Sequence, residues 1–171
     1  MKSLAFLVVG SFLALGGAAS ADSGKKAVAV LKPAAGGSVA GTIGFAAVEG
    51  GVRVSGRITG LTPGSHGFHV HEKGDCSAAD FTSAGGHFNP TGDPHAAPTE
   101  AKRHAGDMGN VEANKDGVAE VNYLDTKLSF AGASSVVGRG VIVHANPDDF
   151  KTQPTGNAGG RVACGVVEAV Q

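Results

Sequence analysis

Six histidines fall between His66 and His104, and a seventh, His144, ends an apolar run. Imidazole is the commonest metal-binding side chain, so their spacing comes first. His69 and His71 stand two apart in Gly67-Phe68-His69-Val70-His71-Glu72. If that run is a strand, both rings leave one face and can reach one ion, while Val70 points to the other. A His-x-His pair alone is a weak signal, because a solvated strand face produces it too. His87, His95, His104 and Asp107 then fall within twenty-one residues. Three imidazoles and a carboxylate are the donors of a tetrahedral zinc site. Each has a plainer reading by itself: His95 a solvated ring between Pro94 and Ala96, Asp107 a turn residue before Met108-Gly109. His144, at the end of Val141-Ile142-Val143, reads from its own segment as a packed or capping residue before it reads as a ligand.

The elements that must position these residues read as strands. Apolar alternation with a period of two marks 27–31, 39–48, 52–58, 67–71, 109–112, 118–124, 140–144 and 162–170. Glu49-Gly50-Gly51, Leu61-Thr62-Pro63-Gly64 and Lys115-Asp116-Gly117 are turn signals between them. Eight strands and no helix predict an all-β fold, an eight-stranded antiparallel Greek-key β-sandwich or flattened barrel. Segments 74–106 and 145–160 are long, rich in Gly, Pro and Asp, and carry most of the polar residues of interest. Loops of that length are usually functional or disordered.

The N-terminus is predicted to be removed. Met1-Lys2, an apolar run over 4–15 and Ala19-Ser20-Ala21 make the three parts of a secretory signal peptide, 1–21, leaving one domain, 22–171. The run is too short to span a bilayer, and no cysteine at the cleavage site offers a lipid anchor. Segment 1–21 carries one charged residue, Lys2, so its loss moves the formal charge from −1 to −2. No basic stripe suggests a nucleic-acid partner. The two cysteines, Cys76 and Cys164, form an even pair in an exported chain and read as one disulfide.

Together these motifs resemble the copper/zinc superoxide dismutase family. Gly67-Phe68-His69-Val70-His71-Glu72 resembles one signature and Gly156-Asn157-Ala158-Gly159-Gly160-Arg161-Val162-Ala163-Cys164-Gly165-Val166 the other. Gly85-Gly86-His87-Phe88-Asn89-Pro90 and Arg103-His104-Ala105-Gly106-Asp107-Met108-Gly109-Asn110 match the metal loop between them. The resemblance implies copper on His69, His71, His87 and His144, and zinc on His87, His95, His104 and Asp107, with His87 bridging. It implies that Asp148 links a copper histidine to a zinc histidine, that Arg161 binds the substrate anion, and that His66 is not a ligand. Cys76 lies earlier than the eukaryotic partner cysteine, whose place is Phe81. That is the pattern of bacterial periplasmic members. The place of the eukaryotic steering lysine is Pro154, and Lys151 is a non-equivalent candidate for its charge.

The function so implied is dismutation of superoxide to oxygen and hydrogen peroxide. A copper ion cycles between Cu(II) and Cu(I), zinc serves as structural and electronic partner, and His87 carries a proton. The expected setting is the periplasm, where the enzyme protects the cell envelope, with no membrane anchor and with a homodimer open. Two rivals are weaker. A copper-delivery protein would favour methionine and cysteine, and only Met108 lies in 22–171. A metal-free interaction module would have lost ligands, and every ligand position is filled.

Overall fold

A computed structural model describes residues 22 and 24–170 of the chain. The expected signal peptide lies outside them. Eight antiparallel strands form one sheet: β1 (Lys26–Pro33), β2 (Ala40–Val48), β3 (Gly51–Thr59), β4 (Gly64–His71), β5 (Asp107–Ala113), β6 (Ala119–Asp125), β7 (Gly140–His144) and β8 (Arg161–Val170). Their order is β5-β4-β7-β8-β1-β2-β3-β6. Counted across the gap between the two edge strands β6 and β5, the chain jumps over two strands from β3 to β4, and again over two from β6 to β7. These are Greek-key crossings, and the sheet curls into a nearly closed barrel whose open seam lies between β5 and β6.

Alternation explains the inner face. Ile43 and Phe45 of β2, Val52, Val54 and Ile58 of β3, and Phe68 and Val70 of β4 point inward and are buried. Each such side chain contributes roughly 1.5–3 kcal/mol on burial. β7 departs from alternation, because all five of its residues are buried. Val141 and Val143 face the main core, while Ile142 joins a second cluster with Phe81, Ala84 and Cys164 outside the barrel. The long 74–106 segment thus covers the outer face of β4 and β7 with its own small core.

The structure differs from the sequence expectation at a few edges. β5 begins at Asp107, two residues before the alternation becomes visible at Gly109. Gly64, read as a turn residue, opens β4. Two single-turn 3-10 segments, Thr82–Ala84 and Gly132–Ser134, sit in connections where no helix was expected. Three residues are too few to carry an apolar period, so sequence reading passes over them.

Candidate metal centre

Pairing between β4 and β7 sets the first half of the site. His69 lies opposite Ile142 and His71 opposite Gly140, with both rings on the outer face. His144 ends β7, beside an irregularity where it pairs with Arg161. The covering loop then docks on β4 through backbone bonds: Phe88 N–H donates to the Val70 carbonyl at 2.9 Å, and Val70 N–H donates to the Gly106 carbonyl at 3.0 Å. A side chain at Gly106 would collide with that Val70 carbonyl. This docking brings His87 into a bridge with His71.

Each ring is fixed by one nitrogen. His69 Nε2 lies 2.8 Å from Asp148 Oδ2, His71 Nδ1 lies 2.9 Å from the Gly85 carbonyl, and His144 Nδ1 lies 3.2 Å from the Gly159 carbonyl. His87 Nδ1 lies 2.8 Å from Asp107 Oδ1. The other nitrogens, His69 Nδ1, His71 Nε2, His87 Nε2 and His144 Nε2, are buried without a hydrogen-bond partner. The four side chains offer ligand atoms that all lie within 4.8 Å of one another. Buried polar atoms are almost always partnered, so four orphaned rings this close together could hold an ion.

The second half has a carboxylate at its centre. Asp107 Oδ1 lies 2.8 Å from His87 Nδ1, 2.9 Å from His95 Nδ1 and 3.2 Å from His104 Nδ1. Ligand bonds of about 2.0–2.1 Å give a tetrahedron edges of about 3.3 Å, close to these separations. The second Asp107 oxygen accepts from Ala96 N–H and His104 N–H, which fixes the carboxylate. The residues present thus fit two ions that share His87, one nitrogen toward each.

Electrostatics agrees with that use at the first group. Burial pushes His87 down to about 4 and His144 to about 3, and lowers His69 and His71. Neutral rings keep the lone pair a metal needs. Burial also acts to lower His95, but Asp107 and Asp148 outweigh it and raise that ring to about 9. Burial would raise Asp107, yet His104, His87 and His95 hold its carboxyl far below the usual range.

Around the ligands stands a ring of supports. Asp148 reaches His69 with one oxygen and His95 Nε2 with the other, at 3.0 Å, so a single carboxylate spans both halves. Gly156, at a φ of +67°, makes room for it, since any side chain there would strike the Asp148 carboxylate and the His95 ring. Asn110 holds Asp148 by its backbone, accepting from its N–H at 2.7 Å and donating to its carbonyl at 3.0 Å. Arg161 Nη1 donates to the Phe81 carbonyl and Nη2 to the Gly85 carbonyl at 2.7 Å. It forms no ion pair with Asp148 or Asp149, the plainer reading of that arginine. His66 lies outside both groups, with Nδ1 on the His144 carbonyl at 2.8 Å and Nε2 on the Thr62 carbonyl at 2.9 Å. Cys76 and Cys164 are joined, with Cα atoms 5.8 Å apart. Lys151 is exposed in the 145–160 segment.

Sequence reading missed three supports. Asn110 ends a motif that gives no sign of its grip on the Asp148 backbone. Arg103 stands in the same motif, but its pairing with Asp125 lies 22 residues away and, like the reach of Gln153 to His95, leaves no local signal. Comparison with known proteins agrees with the geometry. Residues 39–167 match the family model for copper/zinc superoxide dismutase. A solved structure described as that of the clock protein EA4 is 42% identical, with a TM-score of 0.80, over 86% of this chain and 96% of that one.

Proposed function

The chain belongs to the copper/zinc superoxide dismutase family, and from that premise we propose that it converts superoxide to oxygen and hydrogen peroxide in an exported, oxidising compartment. The observation that carries this reading is the convergence of four orphaned histidine nitrogens beside a second, carboxylate-centred group. His69, His71, His87 and His144 would hold copper, and His87, His95, His104 and Asp107 zinc. Copper supplies the one-electron change there, while zinc has no redox chemistry and fixes the site.

The chain's own residues have separable tasks. His87 presents Nε2 toward the first group while Nδ1 stays with the second. Nε2 is therefore the atom at which a proton is held and passed to the reduced substrate. Arg161 offers a permanent charge and planar donors to a small anion. Two carbonyls already orient its guanidinium. A net charge of −1, or −2 once residues 1–21 are removed, repels superoxide overall, so a local positive focus is needed to draw it in. The position of Cys76, its bridge to Cys164 and the expected signal peptide support a bacterial periplasmic setting, since disulfides persist where the compartment is oxidising.

Copper- and zinc-loaded protein should consume superoxide catalytically, and protein loaded with zinc alone should not. Arg161→Ala should lower the rate about tenfold or more and flatten its dependence on ionic strength, with metal content unchanged. Loaded protein that is inert, with both ions verified in place, would end the enzyme reading.

A further inference from the structure

On either side of His95 the backbone is tied down, Asp93 by the Asn89 side chain and Ala96 N–H by Asp107, but neither tie reaches the backbone groups of His95 itself. Pro94 before it has no N–H to give. The two backbone groups of His95 have one partner between them among the described residues, the side chain of Gln153. His95 N–H donates to Gln153 Oε1 at 2.8 Å, and Gln153 Nε2 donates to the His95 carbonyl at 2.7 Å. A primary amide carries a donor and an acceptor side by side, so it can read both groups of one residue as a neighbouring strand would. Gln153 is exposed, and an exposed glutamine ordinarily spends these groups on water. Here both go to the residue whose ring lies between Asp107 and Asp148.

We propose that Gln153 is a positioning residue for the zinc half of the site: its amide fixes the His95 backbone from the 145–160 segment and slows loss of the ion. The proposal rests on the reading that His87, His95, His104 and Asp107 hold zinc. It goes beyond that reading in assigning part of the hold to a residue that touches neither ion nor ring. Supports of this kind commonly govern metal affinity by about ten- to a hundredfold. An exposed clamp belongs at the low end. Asn110 grips the Asp148 backbone with the same two bonds, so the 145–160 segment is tied to its surroundings at two of the residues that meet the His95 ring or backbone.

The test uses full-length, disulfide-intact protein carrying both metals. Gln153→Met keeps the volume and loses both bonds. Gln153→Glu keeps the acceptor for His95 N–H and loses the donor, and it serves if the methionine variant folds poorly. Zinc transfer to the chromogenic chelator 4-(2-pyridylazo)resorcinol should quicken about tenfold in Gln153→Met and less in Gln153→Glu, while copper release stays the same. Cobalt(II) placed in the zinc position should show a changed visible band in Gln153→Met. Amide exchange at His95 in metal-stripped protein should quicken as well. Zinc release within twofold of the unsubstituted protein, with the cobalt band superimposable, overturns the proposal, as does unchanged exchange at His95. If the unsubstituted protein takes up no zinc at all, the zinc reading fails first. The exchange result then decides separately whether the clamp holds His95.

Discussion

At the scale of single residues, Tyr123 shows away from the candidate ligands the same preference of a buried group for its neutral form. It is the only tyrosine, and the chain has no tryptophan. Its hydroxyl is buried without a hydrogen-bond partner, and burial pushes its pKa well above 10, with Asp125 adding to that and Arg103 opposing it. In the unfolded chain a phenol ionises near pH 10, so above that value the unfolded state releases a proton the native state keeps. The unfolded state then binds fewer protons, and stability falls as pH rises past about 10. Near-ultraviolet titration should show no phenolate until the protein unfolds. Tyr123→Phe should remove this part of the alkaline loss and leave stability at pH 7 unchanged or higher by about 1–2 kcal/mol, since no bond is lost and an unpaired group is removed. A smooth phenolate titration near pH 10 in folded protein would contradict this.

At the scale of elements, the open seam between β5 and β6 is closed at the metal end by one buried pair. Arg103 and Asp125 are each about 2% exposed, and Arg103 Nη2 lies 2.9 Å from Asp125 Oδ2. The same guanidinium donates to the carbonyls of Pro98, His104 and Asp107, the last the first residue of β5. Asp125, ending β6, accepts in addition from the N–H groups of Lys127 and Leu128. Removing one partner of a buried pair leaves the other uncompensated. Asp125→Ala should therefore cost about 3–5 kcal/mol in chemical denaturation, more than the typical surface substitution. A midpoint within error of the parent would show the seam closed by other means. The strands themselves were legible from alternation because each buries one face. The alternation read over 140–144 does not describe β7, which is buried on both faces, and its better mark is the apolar run Val141–Val143 before His144. Asp107 was not legible as a strand residue, because its polar side chain breaks the alternation that marks β5 from Gly109 onward.

At the scale of the whole molecule, the disulfide joins the covering loop to β8. Around it Phe81, Ala84 and Ile142 make the second core. A bridge spanning 88 residues contributes ~4–5 kcal/mol on a chain-entropy account. The double substitution Cys76→Ser with Cys164→Ser should lower stability by about that much, and limited proteolysis should then cut first within 74–106. An unchanged denaturation midpoint would mean that the second core suffices alone. The candidate ligands were legible because histidine is rare and their spacing unusual. Gln153 and Arg103 were not, because a glutamine or an arginine in a loop has many solvated uses and only the folded chain shows what lies beside it. The Gly85 carbonyl receives both His71 Nδ1 and Arg161 Nη2. The group that would meet the incoming anion and a ring that would hold copper thus lean on one oxygen atom, and that oxygen belongs to a loop fastened by the disulfide. If the proposed function holds, reductive cleavage of this bond on the molecule's flank should be felt at the reaction centre, and the redox state of the surroundings would then act on catalysis as well as on folding.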